Sequence, residues 1–353
     1  MLKVLIVGPY PPQLGGTSAF ISHLVTCLER ADITCRVINT LRGDSTKGLF
    51  ERVQRLVYFL RIAYKSCGSS YPIIHCHAVS SMNLLGHGII LSMARLCRIK
   101  AVLTLHGGDL FEMLTKRASI KHMVARWIVR LPHIITTVNP DLREAVCSLG
   151  VKSVRFIPNS LQDFIDYSRI CTETPAELSR FVASHRPLIV SVGAMQSNYG
   201  IDVLIQSLDL VRDVYPEIGA IVVAFKSTDP IYRARIQRLM SRLSLDSAVM
   251  FPSSLPYVPS IVAQADLFVR PTFQDGDSIS VREALELRIP VVASQIGFRP
   301  PGVILFRPGN IEDLAARIID ALSPYNPHTL LGLSREIDPA KAYMEIYRSL
   351  LKM

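Results

Sequence analysis

The chain has 353 residues, 49% of them hydrophobic, which is long for one hydrophobic core and sufficient for two domains. No run of about twenty apolar residues occurs, and the uncharged stretch Ala78–Ala94 is interrupted by polar residues and glycines, so we interpret it as a buried helix and not as a membrane span. Seven cysteines without a C-x-x-C spacing fit reduced thiols better than a disulfide framework or a zinc site, and we expect a cytosolic protein.

The positive charge is concentrated in the first half of the chain. Met1–Ile170 carries 21 Lys and Arg against 10 Asp and Glu, a net charge of +11, whereas the remainder carries 18 against 19. An excess of this kind attracts an anionic membrane surface or an anionic substrate. Nucleic acid is not an expected partner, because the sequence contains no nucleic-acid-binding motif.

The first predicted elements form a strand, a loop, a helix and a second strand. Leu2–Val7 is an apolar run too short for a signal-peptide core, and it leads into a loop rich in Pro and Gly at Gly8–Gly16. Thr17 or Ser18 is expected to cap the following helix, whose apolar residues recur at helical spacing. A second strand is predicted at Thr34–Ile38.

Two basic amphipathic segments follow in the first half. Glu51–Lys65 has an apolar face with basic residues largely outside it, and Lys116–Arg130 is a second basic cluster that contains Trp127. Either segment is suited to a membrane interface, where long basic side chains and Trp reach the headgroup region. Either is equally compatible with an ordinary surface helix.

Three histidines lie at or near the ends of predicted strands. His75 and His77 share one face of a strand over 73–77, but no third ligand is nearby and we predict no metal. His106 directly follows a strand at Ala101–Leu105, and open α/β sheets bind ligands at this end of their strands. It is therefore a candidate functional residue, although a histidine at this place can also be structural.

The alternation of strands and helices predicts two α/β domains. The first covers residues 1–165 together with a final helix at 339–353, and the second covers residues 187–335. Between them, residues 166–186 are rich in Pro, Ser and Glu, a composition typical of a linker.

A strand, a glycine turn and a helix follow one another at the stretch that organises the second domain. The strand ends at Val269, the turn spans Gln274–Ser280, and the helix stops before Pro290. This arrangement directs backbone N–H groups and a helix N-terminus at an anion. Ser280 and Glu283 have the spacing of a capping box, so Glu283 either caps this helix or accepts hydrogen bonds from sugar or ribose hydroxyls.

Asp275–Ser294 resembles the donor-site signature of the retaining family-four glycosyltransferases, in which an acidic residue, seven residues and Glu precede a small-residue helix and G-x-P-V-V-A-S. Here Asp275 replaces the usual first Glu, Glu283 is the second acid, and Arg288–Ser294 is the final segment. The resemblance implies the GT-B fold. This fold has two Rossmann-like lobes with the donor site in the cleft between them, and a C-terminal helix that packs back on the first lobe.

The resemblance also implies roles for individual residues. Asp275 would contact donor-sugar hydroxyls, and Glu283 would contact the nucleotide ribose. His106, within a T-x-H-G segment, would hydrogen-bond the donor sugar next to the reacting carbon. Gly15 and Gly16 would let the chain approach the donor phosphates. Further donor-binding candidates are the residues beside these at the starts of the two helices: Thr17, Gly276, Ser278, Ile279 and Ser280.

The sequence departs from the family at the donor diphosphate. Family members carry an Arg and a Lys where this chain has Ala194 and Tyr199. We predict that Lys226 and Arg282 supply the missing positive charge. The alternative is a divalent cation held by the acids of Asp275–Asp277, but the fold class usually works without metal, and we expect no metal and no other cofactor.

The resemblance predicts transfer of a sugar from a nucleotide diphospho-sugar to an acceptor hydroxyl with retention of configuration. The acceptor would be a saccharide or a lipid-linked saccharide, in polysaccharide or glycolipid assembly at the cytoplasmic face of a membrane. Two alternatives stay open. One is a catalytically silent sugar-nucleotide-binding subunit, which the missing Arg and Lys favour; the other is a nucleotide-sugar epimerase of the same fold.

Overall fold

The computed structural model describes residues 2–11, 15–40, 60–62, 64, 71–116, 119–159, 165–170, 174–224, 229–253, 255–323 and 337–352. It divides into two compact units, which we call the first unit (Met1–Ser160 with Ile337–Met353) and the second unit (Leu161–Glu336). Most of the helix predicted at Glu51–Lys65 lies outside the described residues, and so does Lys226.

The first unit is built on a six-stranded parallel sheet in the order β2-β1-β3-β4-β5-β6. Its strands are β1 Leu2–Gly8, β2 Ile33–Asn39, β3 Ile73–Ala78, β4 Lys100–Leu105, β5 Ile134–Thr137 and β6 Val154–Phe156. Its helices are α1 Gly16–Arg30, α2 Ser81–Leu96, α3 Gly108–Thr115, α4 Ile120–Ile128, α5 Pro140–Ser148 and the C-terminal α13 Pro339–Lys352. The strand order reverses between β1 and β3, which is the switch point at which open α/β sheets bind ligands.

Burial on both faces explains why the strands of this sheet are continuous apolar runs. All six residues of β3 are buried, as expected for a parallel strand covered by helices on both sides. The stretch Ala78–Ala94 is largely the buried helix α2, as predicted. No helix among the described residues has the length and apolar character needed to cross a bilayer.

The C-terminal helix α13 belongs to the first unit, which confirms the packing that the resemblance implied. Its residues Tyr343, Ile346, Tyr347 and Leu350 are fully buried, and they recur at the i, i+3, i+4, i+7 spacing of one helix face. Two of these four side chains carry a phenolic hydroxyl into the interior. A hydroxyl buried in this way requires a hydrogen-bond partner inside the unit.

The second unit has its own six-stranded parallel sheet, in the order β12-β11-β10-β7-β8-β9. Its strands are β7 Leu188–Gly193, β8 Gly219–Ala224, β9 Val249–Met250, β10 Leu267–Arg270, β11 Val291–Ser294 and β12 Val303–Phe306. Its helices are α6 Tyr167–Ile170, α7 Ala176–Ser184, α8 Ile201–Val211, α9 Pro230–Arg242, α10 Val258–Val262, α11 Ile279–Glu286 and α12 Ile311–Leu322. The order reverses between β7 and β10, which places the switch point at the ends of these two strands.

The structure differs from the sequence-based expectation at the predicted linker and at the start of α1. Residues 166–186, predicted as a linker, contain α6 and α7, and α7 buries Leu178, Phe181 and Val182 in the second unit. The i, i+3, i+4 spacing of these three residues gives the segment an apolar face despite its polar composition. Helix α1 begins at Gly16 and not after a Thr17 or Ser18 cap; Gly15 is its N-cap, and the Ser18 hydroxyl donates to the Gly15 carbonyl over 2.8 Å.

Candidate functional site

The loops after β7 and β10 are joined at the switch point of the second unit. The Phe273 amide and the Thr272 hydroxyl both donate to the Asn198 carbonyl, each over 2.8 Å. Gly200 follows in the loop after β7 with φ 64°, and a Cβ on it would overlap the Pro271 carbonyl. Only glycine therefore allows the two loops to approach each other this closely. The signature loop is thereby held against the end of β7.

Two arginines hold the carboxylate of Asp275. Arg270 donates through Nε and Nη2 over 3.0 and 3.2 Å, and Arg299 donates through Nη1 over 2.9 Å. Burial alone would raise the pKa of Asp275, but the two guanidinium groups lower it to about 2. Both oxygens of Asp275 are therefore occupied, and a sugar hydroxyl, the contact predicted for Asp275, could use only the remaining lone pair.

Arg270 and Arg299 were not among the residues predicted from sequence. Arg270 ends β10 and donates through Nη1 to the carbonyl of Val192 on β7, so its side chain bridges the switch point. Arg299 also donates to the Ser294 carbonyl over 3.1 Å. With Asp275, the two arginines form a cluster of net charge +1 at the place where this sheet would bind an anion. A cation at the end of an apolar strand was the available signal for Arg270.

A second buried ion pair lies on the other side of Gly276. Arg282 Nε is 2.8 and 2.9 Å from the two carboxylate oxygens of Asp277, and both side chains are almost fully buried. The Nε of Arg282 therefore binds an acid and is not available to bind phosphate. The carboxylates of Asp275 and Asp277 both face guanidinium groups, which does not fit the alternative of a divalent cation held by them. Within the described residues, no three His, Cys, Asp or Glu side chains are grouped as metal ligands.

Glu283 does not form the capping box that its spacing allowed. Helix α11 begins at Ile279 with Ser278 as N-cap, and no side chain caps it. Ser280 is therefore inside the helix, and its hydroxyl lies 3.2 Å from that of Ser278. Glu283 is only 7% exposed and makes no hydrogen bond or ion pair with a described residue, so burial raises its pKa to about 8. The capping alternative is thus wrong, and the buried carboxyl has no internal partner within the described part of the chain.

The glycine candidates of the first unit lie at the start of α1. Gly15 is the N-cap of α1, and Gly16 and Thr17 form its first turn. In the second unit, Gly276 and Ile279 are buried beside Ser278 and the N-terminus of α11. Backbone N–H groups in the first turn of each helix lack partners within the helix, which is the property that suits them to bind phosphate.

His106 lies just beyond β4 and is buried. Its Nε2 is 2.9 Å from Nδ1 of His77, and its ring packs edge-on against Phe20. Burial lowers the pKa of His106 to about 3, against a smaller, opposite effect of the Asn159 side chain. His106 is therefore neutral at physiological pH and can act there as a hydrogen-bond partner but not as a charge.

Two family models together match most of the chain. Residues 14–162 match the model for glycosyltransferase family 4, and residues 186–324 match the model for glycosyl transferases group 1. The chain belongs to the family-four glycosyltransferases. This assignment confirms the resemblance on which the predicted site rests.

Curated relatives match only parts of this family member. A GDP-mannose-dependent α-(1-6)-phosphatidylinositol monomannoside mannosyltransferase of Mycolicibacterium smegmatis is 27% identical over 38% of this chain and 36% of its own. The lipopolysaccharide core biosynthesis mannosyltransferase LpsB of Rhizobium meliloti is 26% identical over 30% of each chain. The matched segments thus span about a third of these relatives.

Solved structures resemble the whole chain in fold. HepE of Anabaena, in complex with UDP and glucose, has a TM-score of 0.72 at 17% identity, with 100% of both chains covered. Sucrose-phosphate synthase of Thermosynechococcus elongatus has a TM-score of 0.75 at 16% identity, again with 100% of both chains covered. A putative UDP-N-acetylglucosamine 2-epimerase of Listeria monocytogenes has a TM-score of 0.68 at 13% identity, over 98% and 94% of the two chains. The two-lobed GT-B fold is therefore established.

Tyr199, which stands where the resemblance predicts a lysine, has defined contacts in the structure. The Tyr199 ring lies against Gly193, and the Arg270 guanidinium is 5.2 Å from its centroid. A guanidinium at this distance from an aromatic ring is stabilised by the ring. Where the resemblance predicts a lysine, this family member has an aromatic ring that supports an arginine from the neighbouring strand.

Proposed function

We propose that the protein is a retaining glycosyltransferase that uses a nucleotide diphospho-sugar. The observation that carries the proposal is Glu283, a buried carboxyl of α11 without a partner among the described residues. A carboxylate kept from water costs free energy unless it receives hydrogen bonds. Ribose hydroxyls would provide them, and the matching acid of the family motif has this role.

Two observations support a nucleotide sugar as the class of donor. HepE was solved with UDP and with UDP-glucose bound, so a protein of the same fold holds a nucleotide sugar. In this chain, the cluster of Arg270, Asp275 and Arg299 has a net positive charge at the switch point, which would attract a diphosphate. The nucleotide base and the sugar are left open, because a fold does not determine them.

The proposed reaction needs no protein nucleophile. The bond between the anomeric carbon and the diphosphate oxygen breaks, the acceptor oxygen bonds that carbon on the same face, and the acceptor proton passes to the leaving phosphate. The products are a glycoside and a nucleoside diphosphate. The protein would contribute positioning and stabilisation of the negative charge that develops on the leaving group. His106 would contact the donor sugar through a hydrogen bond.

The positive charge for the leaving diphosphate is assigned again in view of the ion pairs. Asp277 binds the Nε of Arg282 and neutralises its charge, so the contribution of Arg282 to phosphate binding would be small. Lys226 remains a proposed contact on the basis of its sequence position alone. Arg270 and Arg299 are added because they share one acid between two cations. Neither a metal nor another cofactor has a part in this proposal.

We also propose a saccharide or lipid-linked saccharide acceptor in glycan assembly at the cytoplasmic membrane face. Two relatives are named for reactions on a phosphatidylinositol mannoside and on the lipopolysaccharide core. In the first unit, α4 exposes Ile120, Met123 and Trp127 at the i, i+3, i+7 positions of one face. Lys121 and Arg126 are exposed on the same helix. An apolar stripe with flanking basic residues fits an anionic membrane surface.

Vesicle binding tests the membrane proposal with a matched control. Ile120 in the first unit and Ile231 in the second unit are 80% and 79% exposed. We expect Ile120→Asp to reduce sedimentation with anionic vesicles by about tenfold, because it removes apolar contact and adds a repelled charge worth about 1 kcal/mol. Ile231→Asp should leave binding unchanged. Equal losses in both variants, or equal binding to neutral vesicles, would contradict an oriented contact through α4.

A screen of nucleotide sugars tests the reaction itself. Purified protein is offered each donor with saccharide and lipid-linked acceptors, and both transfer and a thermal shift are recorded. Transfer with one donor, together with a shift by the corresponding nucleoside diphosphate, is the expected result. A shift without transfer or hydrolysis supports the alternative of a silent binding subunit, which Ala194 and Tyr199 favour. Inversion of a sugar centre without transfer would indicate an epimerase.

A further inference from the structure

The loops after β3 and β4 lie side by side at the carboxyl edge of the first sheet. The two strands pair in parallel up to Ala78 and Leu105, so the chain leaves the sheet at neighbouring points. His106 is the first residue beyond β4, and its amide donates to the Ala78 carbonyl over 2.8 Å. The loop that carries His106 therefore begins in a fixed place beside the loop after β3.

The two loops stay close together at Gly107. A Cβ on this residue would overlap the Val79 carbonyl oxygen and would lie 2.7 Å from a carboxylate oxygen of Asp109. The φ of Gly107 is −77°, which any residue adopts, so glycine is required here by space and not by backbone conformation. The backbone of the loop after β3 fills the place that a side chain would take.

Asp109 adds a hydrogen bond between the two loops. Its Oδ2 accepts from the Ser81 amide over 2.8 Å. Ser81 is the first residue of α2, and Asp109 lies in the first turn of α3. Amides in the first turn of a helix have no acceptor within that helix, so the Ser81 amide depends on one from outside α2. One carboxylate thus joins the starts of the two helices that follow β3 and β4.

The start of α2 is ordered by its own side chains. The Asn83 side chain accepts from the Val79 amide over 3.2 Å, and the Ser80 hydroxyl accepts from the Asn83 amide over 3.3 Å. These contacts involve no residue of the loop after β4. Asp109 therefore fastens the loop that bears His106 to a helix start that has its own support.

We propose that Asp109 is a positioning residue that holds the His106 loop against the start of α2 and so sets where His106 meets the donor sugar. His106 and Asp109 are separated by Gly107 and Gly108 alone. Glycines restrict the backbone less than any other residue, so this short segment needs a restraint from outside. The Asp109 carboxylate provides it. The inference rests on the proposed function for the role of His106.

Two substitutions break the contact from opposite sides. Asp109→Ala removes the acceptor. Ser81→Pro removes the donor and places a ring carbon against the carboxylate. Proline is favoured at the first position of a helix, and Ser80, with φ −155° and ψ 165°, has the extended backbone that suits a residue before proline. Helix α2 should therefore still form in Ser81→Pro.

Three control variants leave the contact in place. Ser81→Ala keeps the amide, and Asp109→Asn keeps an acceptor oxygen. Glu112→Ala removes another acid of α3, which is exposed and pairs with Lys116. All three should keep most of the activity and should melt close to the wild type.

Steady-state kinetics of the full chain give the first readout. We expect Asp109→Ala and Ser81→Pro each to lower kcat by about 10- to 100-fold with little change in the donor KM, because a displaced His106 loses its place at the reacting sugar. The combined variant should be no slower than the slower single variant, since both changes remove one contact.

Nitrogen NMR of the histidine-labelled full chain gives a readout that needs no turnover. The ring signals of His106 are assigned from the spectrum of His106→Asn. They should move in Asp109→Ala and in Ser81→Pro, and should keep their positions in Ser81→Ala and Asp109→Asn. Signals that stay unchanged in both contact-breaking variants overturn the proposal, whether or not the protein transfers sugar.

The outcomes separate this inference from the proposed function. Normal kcat in a folded Asp109→Ala or Ser81→Pro, an equal loss in Ser81→Ala, or losses that add in the combined variant overturn the role of Asp109. If one contact-breaking variant does not fold, judged by its melting temperature, the other decides; if neither folds, the contact maintains the fold and the positioning role is overturned. If the unsubstituted protein turns over no donor, the proposed function fails, while the NMR result still decides whether Asp109 positions His106.

Discussion

The switch points of the two sheets stabilise their buried polar groups in opposite ways. At the first, beside β1 and β3, neutral histidines hydrogen-bond one another and two tyrosines of the C-terminal helix meet neighbouring polar groups. At the second, beside β7 and β10, arginines and aspartates form buried ion pairs. The contrast fits the proposed function, because neutral donors suit sugar hydroxyls and a cationic cluster suits a diphosphate.

The largest effect on stability is expected from removing a cation at the second switch point, where the buried polar groups form ion pairs. We expect Arg270→Met to destabilise folding by about 3–5 kcal/mol, because it takes one of two cations from a buried carboxylate and its donor from the Val192 carbonyl. The control is Arg235→Met, whose pair with Asp202 involves an arginine that is 63% exposed, and which should cost at most about 1 kcal/mol. Equal losses in denaturant unfolding would show that burial does not distinguish the two pairs.

Glu283 should behave differently from the paired acids of the second switch point, because no described cation pairs with it. Its pKa is raised from 4.5 to about 8, so its stabilising contribution is complete below about pH 4.5 and is lost as pH rises towards 8. We therefore expect Glu283→Gln to match the wild type at pH 4 and to exceed it by a few kcal/mol at pH 8. Melting curves across this range check the sign. A variant less stable than the wild type at pH 8 would point to an internal partner for Glu283.

Asp275 should show the reverse dependence on pH. Its pKa is lowered from 3.8 to about 2, so its contribution is present above pH 4 and lost as the pH falls towards 2. This corresponds to about 2 kcal/mol, which Asp275→Asn should lack at neutral pH. Urea unfolding at pH 7 and at pH 2.5 should therefore bring variant and wild type closer together in acid. A constant difference would mean that the carboxylate is not stabilised by its arginines.

At the first switch point, where the buried polar groups are neutral, substitution of two tyrosines of α13 should give smaller losses of stability, and the two losses should differ in size. Tyr347 is a partner of His75 at 2.6 Å, whereas Tyr343 lies 3.1 and 3.3 Å from two threonine hydroxyls that are also 2.5 Å from each other. Tyr347→Phe leaves a buried ring nitrogen unpaired and should cost about 1–3 kcal/mol. Tyr343→Phe should cost less, because the threonines keep each other as partners. The opposite order in thermal unfolding would contradict the assigned contacts.

The sequence predicts the parts of the molecule that depend on local pattern. The apolar strands and the glycine turn before α11 follow from residues close together in the chain. The pairing of Asp275 with Arg299 joins residues from different loops, and spacing gives no sign of it. The predicted capping box at Ser280 fails for a similar reason, since α11 begins at Ile279 and the surrounding loops, not propensity, set its start.

The prediction for Arg282 shows the same limit of sequence reasoning. Its position in the first turn of α11 suits a phosphate contact, but the nearby Asp277 is buried with it and takes its Nε. Two residues five positions apart across a helix start meet only because the turn folds back. The role of each signature residue therefore depends on which of them are paired with one another, and Glu283 is left unpaired among the described side chains.

Nucleotide affinity measured by calorimetry in a double-mutant cycle tests the central claim most directly. Wild type and Glu283→Gln are each titrated at pH 8 with the nucleoside diphosphate selected in the donor screen and with its analogue lacking the ribose hydroxyls. If Glu283 receives those hydroxyls, the wild type should prefer the ribose form by about 1.5–3 kcal/mol, and the variant should lose that preference. A preference that is the same in both proteins would contradict the assignment of Glu283 to the donor.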